Sequence, residues 1–498
     1  MSFSSQSLHN NSRGTGKVDK SSSMDFAPHG QPLRAGTHLF DRVPIELLQE
    51  IFLHCLSPSP PAAAEFLYHS IDLQGTSPRF APLLLCQICR LWRQAAISFR
   101  DIWTSLDIFV SVGKSRPSTH LATIWLARSG ALPLSLSLHQ QSGSVGDCIA
   151  AGQILELYKR HTSRWCNIHF DLRERWPKYC RLLTSQQRSA PLLREFTIQT
   201  SYQIEVVDLF GIFDFVPRLS SLHVSQIPDL NLLGHCSVPI PWFQLASLSL
   251  DYIPSVCASL HILEKCPNLM DVSFKVEPII IYGPLPIHPV HHKLHSLTIN
   301  ISHDQLSLFL GHVTFPELIR TTIYVRGPLQ NYGWPQAKLE AFLERSQCRL
   351  EHFEIHDTGM NCDEFTACVC DRHLQSLVKF IVGDRRDWTW NPFVTDHTVD
   401  LLTCSSPDNN NVPGGGLAKT GSSACFLPNL VSLVIRGSIL CTAEGMVARM
   451  VESRWRYYCN GIKRLKHVEF KVPTLHAEDV RRLKEFCSEG LELDMNLQ

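Results

Sequence analysis

The chain has 498 residues, of which 44% are hydrophobic and 18% charged, a balance that supports a sizeable folded core and excludes a wholly disordered protein. Its 46 basic and 46 acidic side chains cancel, which excludes attraction to nucleic acid or an anionic membrane by bulk charge alone. No apolar run approaches the roughly 20 residues that cross a bilayer, and the first 38 residues are polar with no apolar stretch of the secretory type.

The 18 cysteines are accordingly read as reduced thiols of a cytoplasmic or nuclear protein. Several occupy apolar positions, among them Cys55, Cys166 and Cys257, so core filling is their expected role.

Residues 1–38 are rich in Ser, Asn and Gly without apolar periodicity, as expected of a disordered tail. Pro44 suits the first turn of a helix, where its fixed φ fits and its missing N–H costs nothing. Glu46 complements the dipole of that helix. Leu47, Ile51 and Cys55 form one row, and Leu48, Phe52 and Leu56 the adjacent row, so one broad apolar face is expected. The prolines at 58, 60 and 61 end the helix, and residues up to 80 form a linker. Pro82 opens a second expected helix with rows Leu84/Ile88/Trp92 and Leu85/Cys89/Ala96. Leu106-Asp107-Ile108 then alternates as a strand does.

From there an L-x-x-L-x-L pattern recurs. It reads Leu193/Phe196/Ile198, Leu219/Leu222/Val224, Leu245/Leu248/Leu250, Leu269/Val272/Phe274 and Leu294/Leu297/Ile299. It continues as Leu350/Phe353/Ile355, Leu377/Phe380/Val382, Leu430/Leu433/Ile435 and Leu465/Val468/Phe470. Leu318 and Ile323 mark a weaker copy with Thr321 between them, and Trp165/Ile168/Phe170 an earlier one. The starts from 193 to 318 are 26, 26, 24, 25 and 24 residues apart, within the period of about 20–29 of leucine-rich repeats. A step of 53 residues contains the polar stretch 405–423, read as a disordered insert.

Between these strands the period turns helical, as at Val256/Leu260/Leu263, Leu339/Phe342/Leu343 and Met446/Val447/Met450/Val451. Pro191, Pro217, Pro267, Pro316 and Pro428 each stand two residues before a repeat's first leucine, where proline stops a helix and extends the entering chain. Each unit is thus a strand, a turn and a helix, and neighbours must stack to bury the apolar side. The expected fold class is α/β: a small helical N-terminus (residues 39–108, with a loop inserted at 57–80) followed by a solenoid of strand–helix units over 109–498. An ordinary α/β domain is the competing reading. The asparagine ladder of regular repeats is absent, with Ser201, Ile253, Glu277 and Thr358 at such positions, so uneven turns are expected.

The segment Val43-Pro44-Ile45-Glu46-Leu47-Leu48-Gln49-Glu50-Ile51-Phe52 resembles the opening of the F-box. Leu85-Cys86-Gln87-Ile88-Cys89-Arg90-Leu91-Trp92-Arg93 is similar to its second half, and Trp103-Thr104-Ser105-Leu106 to its close. With Trp125-Leu126-Ala127-Arg128-Ser129-Gly130 and Ser453-Arg454-Trp455-Arg456, the chain resembles the F-box proteins with irregular leucine-rich repeats found in mushroom-forming fungi. Val43 replaces a common Leu, and the connection 57–80 is longer than in a minimal F-box.

The resemblance implies a non-catalytic substrate-recognition subunit of a cullin-RING (SCF-type) ubiquitin ligase. Val43, Pro44, Leu47, Leu48, Ile51, Phe52, Cys89, Trp92 and Arg93 would meet a Skp-family adaptor and, through it, a cullin. For Leu48, Leu85 and Trp92 the competing reading is packing within the helical cluster. An unknown protein substrate would lie on the repeats, and tethering would raise its effective concentration beside the charged enzyme. The alternative function is a repeat-based protein-interaction scaffold with a degenerate F-box and no ligase role. Residues between the inward leucines project to the opposite sheet face. Among them His223, Asp251, Lys275, Tyr324, Glu354, His356, Arg436 and Lys471 are the expected substrate contacts.

No catalytic residue, cofactor or metal is expected. There is no G-x-S-x-G elbow and no H-E-x-x-H helix, and Gly14-Thr15-Gly16-Lys17 lacks full phosphate-loop spacing. Cys86-x-x-Cys89 is read as core packing, and Cys362, Cys368 and Cys370 lack a spaced fourth ligand. His288, His291, His292 and His295 are read as a solvated loop entering a strand, with weak transition-metal binding as the alternative. The basic set Arg454, Arg456, Lys463, Arg464, Lys466 and Lys471 is read as a solvated face, with an acidic partner as the alternative.

Overall fold

A computed structural model describes residues 43–56, 81–173, 189–200, 215–225, 240–277, 285, 287–326, 334–383, 394–404, 425–436, 439–440, 443–456, 461–471 and 476–495. The expected tail 1–38, the inserts 57–80 and 405–423 and the Gly14–Lys17 stretch lie outside the described residues.

In chain order the elements are α1 (Ile45–His54), α2 (Ala81–Ile88), α3 (Arg90–Ser98), β1 (Ser105–Ser111), β2 (Lys114–Arg116), α4 (Thr119–Arg128), β3 (Leu134–Gln140), α5 (Val145–Lys159), β4 (Trp165–Leu172), β5 (Glu195–Thr200) and β6 (Ser221–Val224). Then come β7 (Ser247–Ile253), α6 (Val256–Lys265), β8 (Asp271–Val276), β9 (Val290–His291), β10 (Ser296–Ser302), α7 (His303–Gly311), β11 (Val313–Thr314), β12 (Arg320–Arg326), α8 (Gln336–Ser346), β13 (His352–His356) and α9 (Cys362–Cys370). The chain continues through β14 (Lys379–Gly383), β15 (Val394–Thr395), α10 (Asp396–Leu402), β16 (Ser432–Arg436), β17 (Ile439–Leu440), α11 (Met446–Trp455), β18 (His467–Lys471), α12 (Ala477–Ser488) and β19 (Glu492–Met495). None of the described helices is long and apolar enough to cross a membrane.

Fifteen of these strands form one sheet, ordered from β2 and β1 through β3 to β19 in chain sequence. Every pairing in it is parallel except the β1–β2 hairpin. β9 pairs with β11, and β15 with β17, apart from it. The register follows the sequence repeat. Phe196, Leu222, Leu248, Val272, Leu297, Thr321, Phe353, Phe380, Leu433 and Val468 are laterally paired one to the next. A one-residue slip would turn every one of these apolar side chains to the other face, so the pattern pins the register.

Where described helices follow strands, the sequence supplies caps for several of them. The Ser255 hydroxyl accepts the Ala258 N–H at the start of α6 (3.3 Å). Asn361 and Glu364 form a reciprocal capping box on α9, each bond 2.9 Å. Leu260 and Leu263 of α6, and Leu339, Phe342 and Leu343 of α8, are buried. Each such side chain contributes roughly 1.5–3 kcal/mol on removal from water. One continuous apolar cluster runs from Leu48 to Leu491.

Several expectations are corrected. The second helix breaks at Cys89, whose extended backbone caps α3 while its Sγ accepts the Trp92 N–H (3.4 Å). The strand expected at Leu106-Asp107-Ile108 is present as β1, which pairs with β3 and so begins the sheet at Ser105. Cys55 and Cys89 are exposed, and Cys166 and Cys257 half-buried, so core filling fits Cys266, Cys348 and Cys368 instead. Not all cysteines are thiols: Cys404 and Cys425 form a disulfide. They are 21 residues apart, but the chain returns to within 5.0 Å between their Cα atoms.

Candidate functional site

The three N-terminal helices divide the expected broad apolar face of α1 in two. Leu48 and Phe52 are 0% exposed and hold the helices together. The Phe52 ring lies 5.2 Å from that of half-buried Trp92. One residue earlier in each turn, Leu47 (57%) and Ile51 (43%) face solvent. Ile45 and Leu53 on α1, Leu84 and Ile88 on α2, and Ile97 on α3 are also exposed. Seven of the fourteen exposed large apolar side chains among the described residues therefore sit on these three short helices. Scattered exposed apolar residues are ordinary, whereas half of those described fall on these three helices.

The remaining expected contacts are distributed as follows. Pro44 is exposed, and its carbonyl accepts the Leu47 and Leu48 N–H groups (3.1 and 3.2 Å), so it caps α1. Val43 packs partly against the core. Arg93 is exposed and its Nε donates to the Cys86 carbonyl (2.7 Å), strapping α2 to α3. Trp103 ties α3 to α4: its Nε1 donates to the Ala96 carbonyl (2.7 Å) and its ring meets Trp125 edge-on at 4.9 Å. Leu48 and Phe52, expected at a partner surface, are enclosed, because the second apolar row is the one that meets α3.

The polar face of the sheet is a set of neighbouring pairs. His223 lies 3.3 Å from Asp251, and Lys275 3.9 Å from Glu277. At β12 and β13 the Tyr324 ring stacks on His356 at 4.7 Å and 9°. His356 Nε2 meets Glu354 Oε1 at 2.6 Å. His356 is 0% exposed, which corrects its expected role as a direct contact: it seats Tyr324 and Glu354 instead. Burial favours the neutral acid of Glu354, but the His356 hydrogen bond and the charges of His356, Lys379 and Arg436 outweigh it and hold the carboxyl below the usual range.

Arg436 grips Glu469 with two bonds of 3.0 and 3.3 Å. Between the Glu354 and Glu469 positions the register places Ile381 and Val434, both buried. The face thus holds an apolar patch flanked by two charged clusters. Lys471 ends β18; its side chain is outside the described residues.

A second cluster, not marked by the leucine repeat, lies at the other end of this face. Phe109 of β1 stacks on His139 of β3 at 4.8 Å, and His139 lies 5.1 Å from His169 of β4. His139 Nε2 is 3.1 Å from Asp107, and Asp171 pairs with Arg173 (3.2 Å). Burial pushes the Asp171 carboxyl up, against the opposing pull of Arg173 and His139. The signal was present in the strict alternation of Leu134, Leu136 and Leu138, which turns Ser137 and His139 to the opposite face.

The other motifs have internal uses. His292 bonds the Cys266 carbonyl (2.7 Å), and burial lowers its basicity. Among the described residues no group of three or more His, Cys, Asp or Glu is arranged to hold a metal ion. In the basic stretch Arg454 is buried rather than solvated. Arg456 pairs with Glu452 and Glu489, and Arg464 stacks on Trp455 at 3.6 Å.

No protein-family model matches this chain, and no curated protein matches it at a significant level.

Proposed function

We propose that the N-terminal helices are an F-box that docks a Skp-family adaptor and through it a cullin. On this reading the strand–helix units are an irregular leucine-rich-repeat solenoid whose polar face holds a protein substrate for ubiquitin transfer. The chain is then a receptor that does not catalyse the ubiquitin transfer, working in the cytoplasm or nucleus. The observation that carries the reading is the split of α1 into a buried Leu48/Phe52 row and an exposed Leu47/Ile51 row, with Leu84 and Ile88 of α2 and Ile97 of α3 exposed as well. A helical cluster that served only its own core would turn fewer of its large aliphatic side chains to water. The three F-box-like phrases in chain order, and the run of parallel strands behind them, support the same reading.

The test is affinity purification of the tagged full chain from cells. Wild type is expected to recover adaptor and cullin. Pro44→Ala combined with Leu47→Ala is expected to lose both, and Tyr324→Ala to keep both while losing proteins captured on the sheet face. Recovery of repeat-bound proteins without adaptor from wild type would replace this reading with the scaffold lacking a ligase role.

A further inference from the structure

We propose that Cys404 and Cys425 form a reversible thiol–disulfide exchange site, in which buried Arg454 holds the released Cys425 sulfur as a thiolate. Arg454 of α11 is 1% exposed. Its Nε donates to the Leu402 carbonyl (2.6 Å) and its Nη1 to the Leu427 carbonyl (3.0 Å). Its Nη2 donates to the Phe426 carbonyl (2.5 Å) and to Cys425 Sγ (2.9 Å). All four acceptors are neutral while the disulfide is closed, and no carboxylate among the described residues pairs with the guanidinium.

A buried cation without a counter-ion is costly. Desolvation here pulls the guanidinium down to about 10. Opening the disulfide supplies the missing anion at hydrogen-bond distance, and thiols beside Arg ionise below the usual value. The contrast lies within the same chain. Cys266 and Cys348 are buried without such a donor, and burial pushes their thiols up to about 12 and about 11.

The reductant is a dithiol. Its two sulfurs close into a disulfide and pass two electrons to the Cys404–Cys425 bond, which breaks. Cys404 leaves as the thiol, Cys425 as the thiolate, and one proton goes to solvent. Stabilising the thiolate stabilises the reduced side, so this bond is easier to reduce than a purely structural disulfide. Closing it ties the end of α10 to the entry of β16. The adjacent Leu427 is held in the left-handed region at φ 52°, a conformation that costs a non-glycine residue free energy and persists only under constraint.

The experiment uses the full-length protein. In Cys404→Ser, Cys425 stays a thiol beside an intact Arg454. Its alkylation by iodoacetamide is followed against pH by mass spectrometry of the Cys425 peptide. The half-maximal rate is expected at least about one unit below the ordinary thiol value of about 8.5, which is about tenfold more thiolate at acidic pH. A midpoint at or above that value overturns the proposal. In wild type, peptide mapping is expected to find the 404–425 cross-link after mild peroxide oxidation and to lose it in a dithiol buffer. Absence of the cross-link, or its persistence in the dithiol, also overturns it. Arg454→Lys in the Cys404→Ser background is expected to raise the midpoint. Because Cys404→Ser keeps every Arg454 contact, the test stands even where that second variant does not fold.

Discussion

Phe52 of α1 and Trp92 of α3 meet with ring centroids 5.2 Å apart and planes tilted by 57°. This contact fixes the rotation of α1. With Phe52 and Leu48 turned toward α3, Leu47 and Ile51 have nowhere to go but outward. Phe52→Ala is therefore expected to cost about 3–5 kcal/mol, as other buried Phe deletions do, and Leu47→Glu less than about 0.5 kcal/mol. Urea denaturation of both variants against wild type checks this. Equal losses would mean that the two rows are not divided as described.

Gly383 ends β14 beside Arg436 of β16. A methyl group added there would land on the Arg436 carbonyl oxygen and Cβ. Backbone in a central strand cannot step aside as a flexible side chain can, so Gly383→Ala is expected to destabilise by about 1–3 kcal/mol. Gly311, at the end of α7, meets nothing within 4 Å. Gly311→Ala is expected to be neutral or to stabilise by up to about 1 kcal/mol, since alanine favours helix. Thermal unfolding of the two variants side by side reads the difference.

The folded Glu354 carboxyl lies below its ordinary range. Its ionised form therefore favours the folded state. That contribution is complete above the unfolded value of about 4.3 and disappears as pH falls through the folded value. Glu354→Gln is expected to be less stable than wild type at pH 7 and to converge with it in acid. Denaturation midpoints between pH 7 and pH 2.5 test the sign. A gap that widens toward low pH would contradict it.

The sheet was legible because its signal is repeated. Each L-x-x-L-x-L copy fixes one strand, and the copies reinforce one register from Phe196 to Val468. Thr321 shows the tolerance of that signal, sitting in register and buried where the other copies have an apolar residue. What stayed hidden depends on single contacts. Two adjacent apolar rows on α1 look alike in sequence, and only the Phe52–Trp92 contact says which is inside. The break before α3 rests on Cys89, whose sulfur accepts the Trp92 N–H, a bond that spacing does not reveal. The burial of Arg454 and the meeting of Cys404 with Cys425 are long-range events that no local pattern encodes. On the polar face, His356 reads in sequence as an outward position, yet Tyr324 and Glu354 lie against it.

The most direct test is binding of the purified full chain to a purified Skp-family adaptor, measured by titration calorimetry. Wild type is compared with Leu47→Glu/Ile51→Glu, a pair placed on the exposed row only. The expected result is a loss of affinity of at least about tenfold, the equivalent of about 1.4 kcal/mol, with an unchanged urea midpoint. Equal affinity in the two proteins, or no binding by wild type, would contradict it.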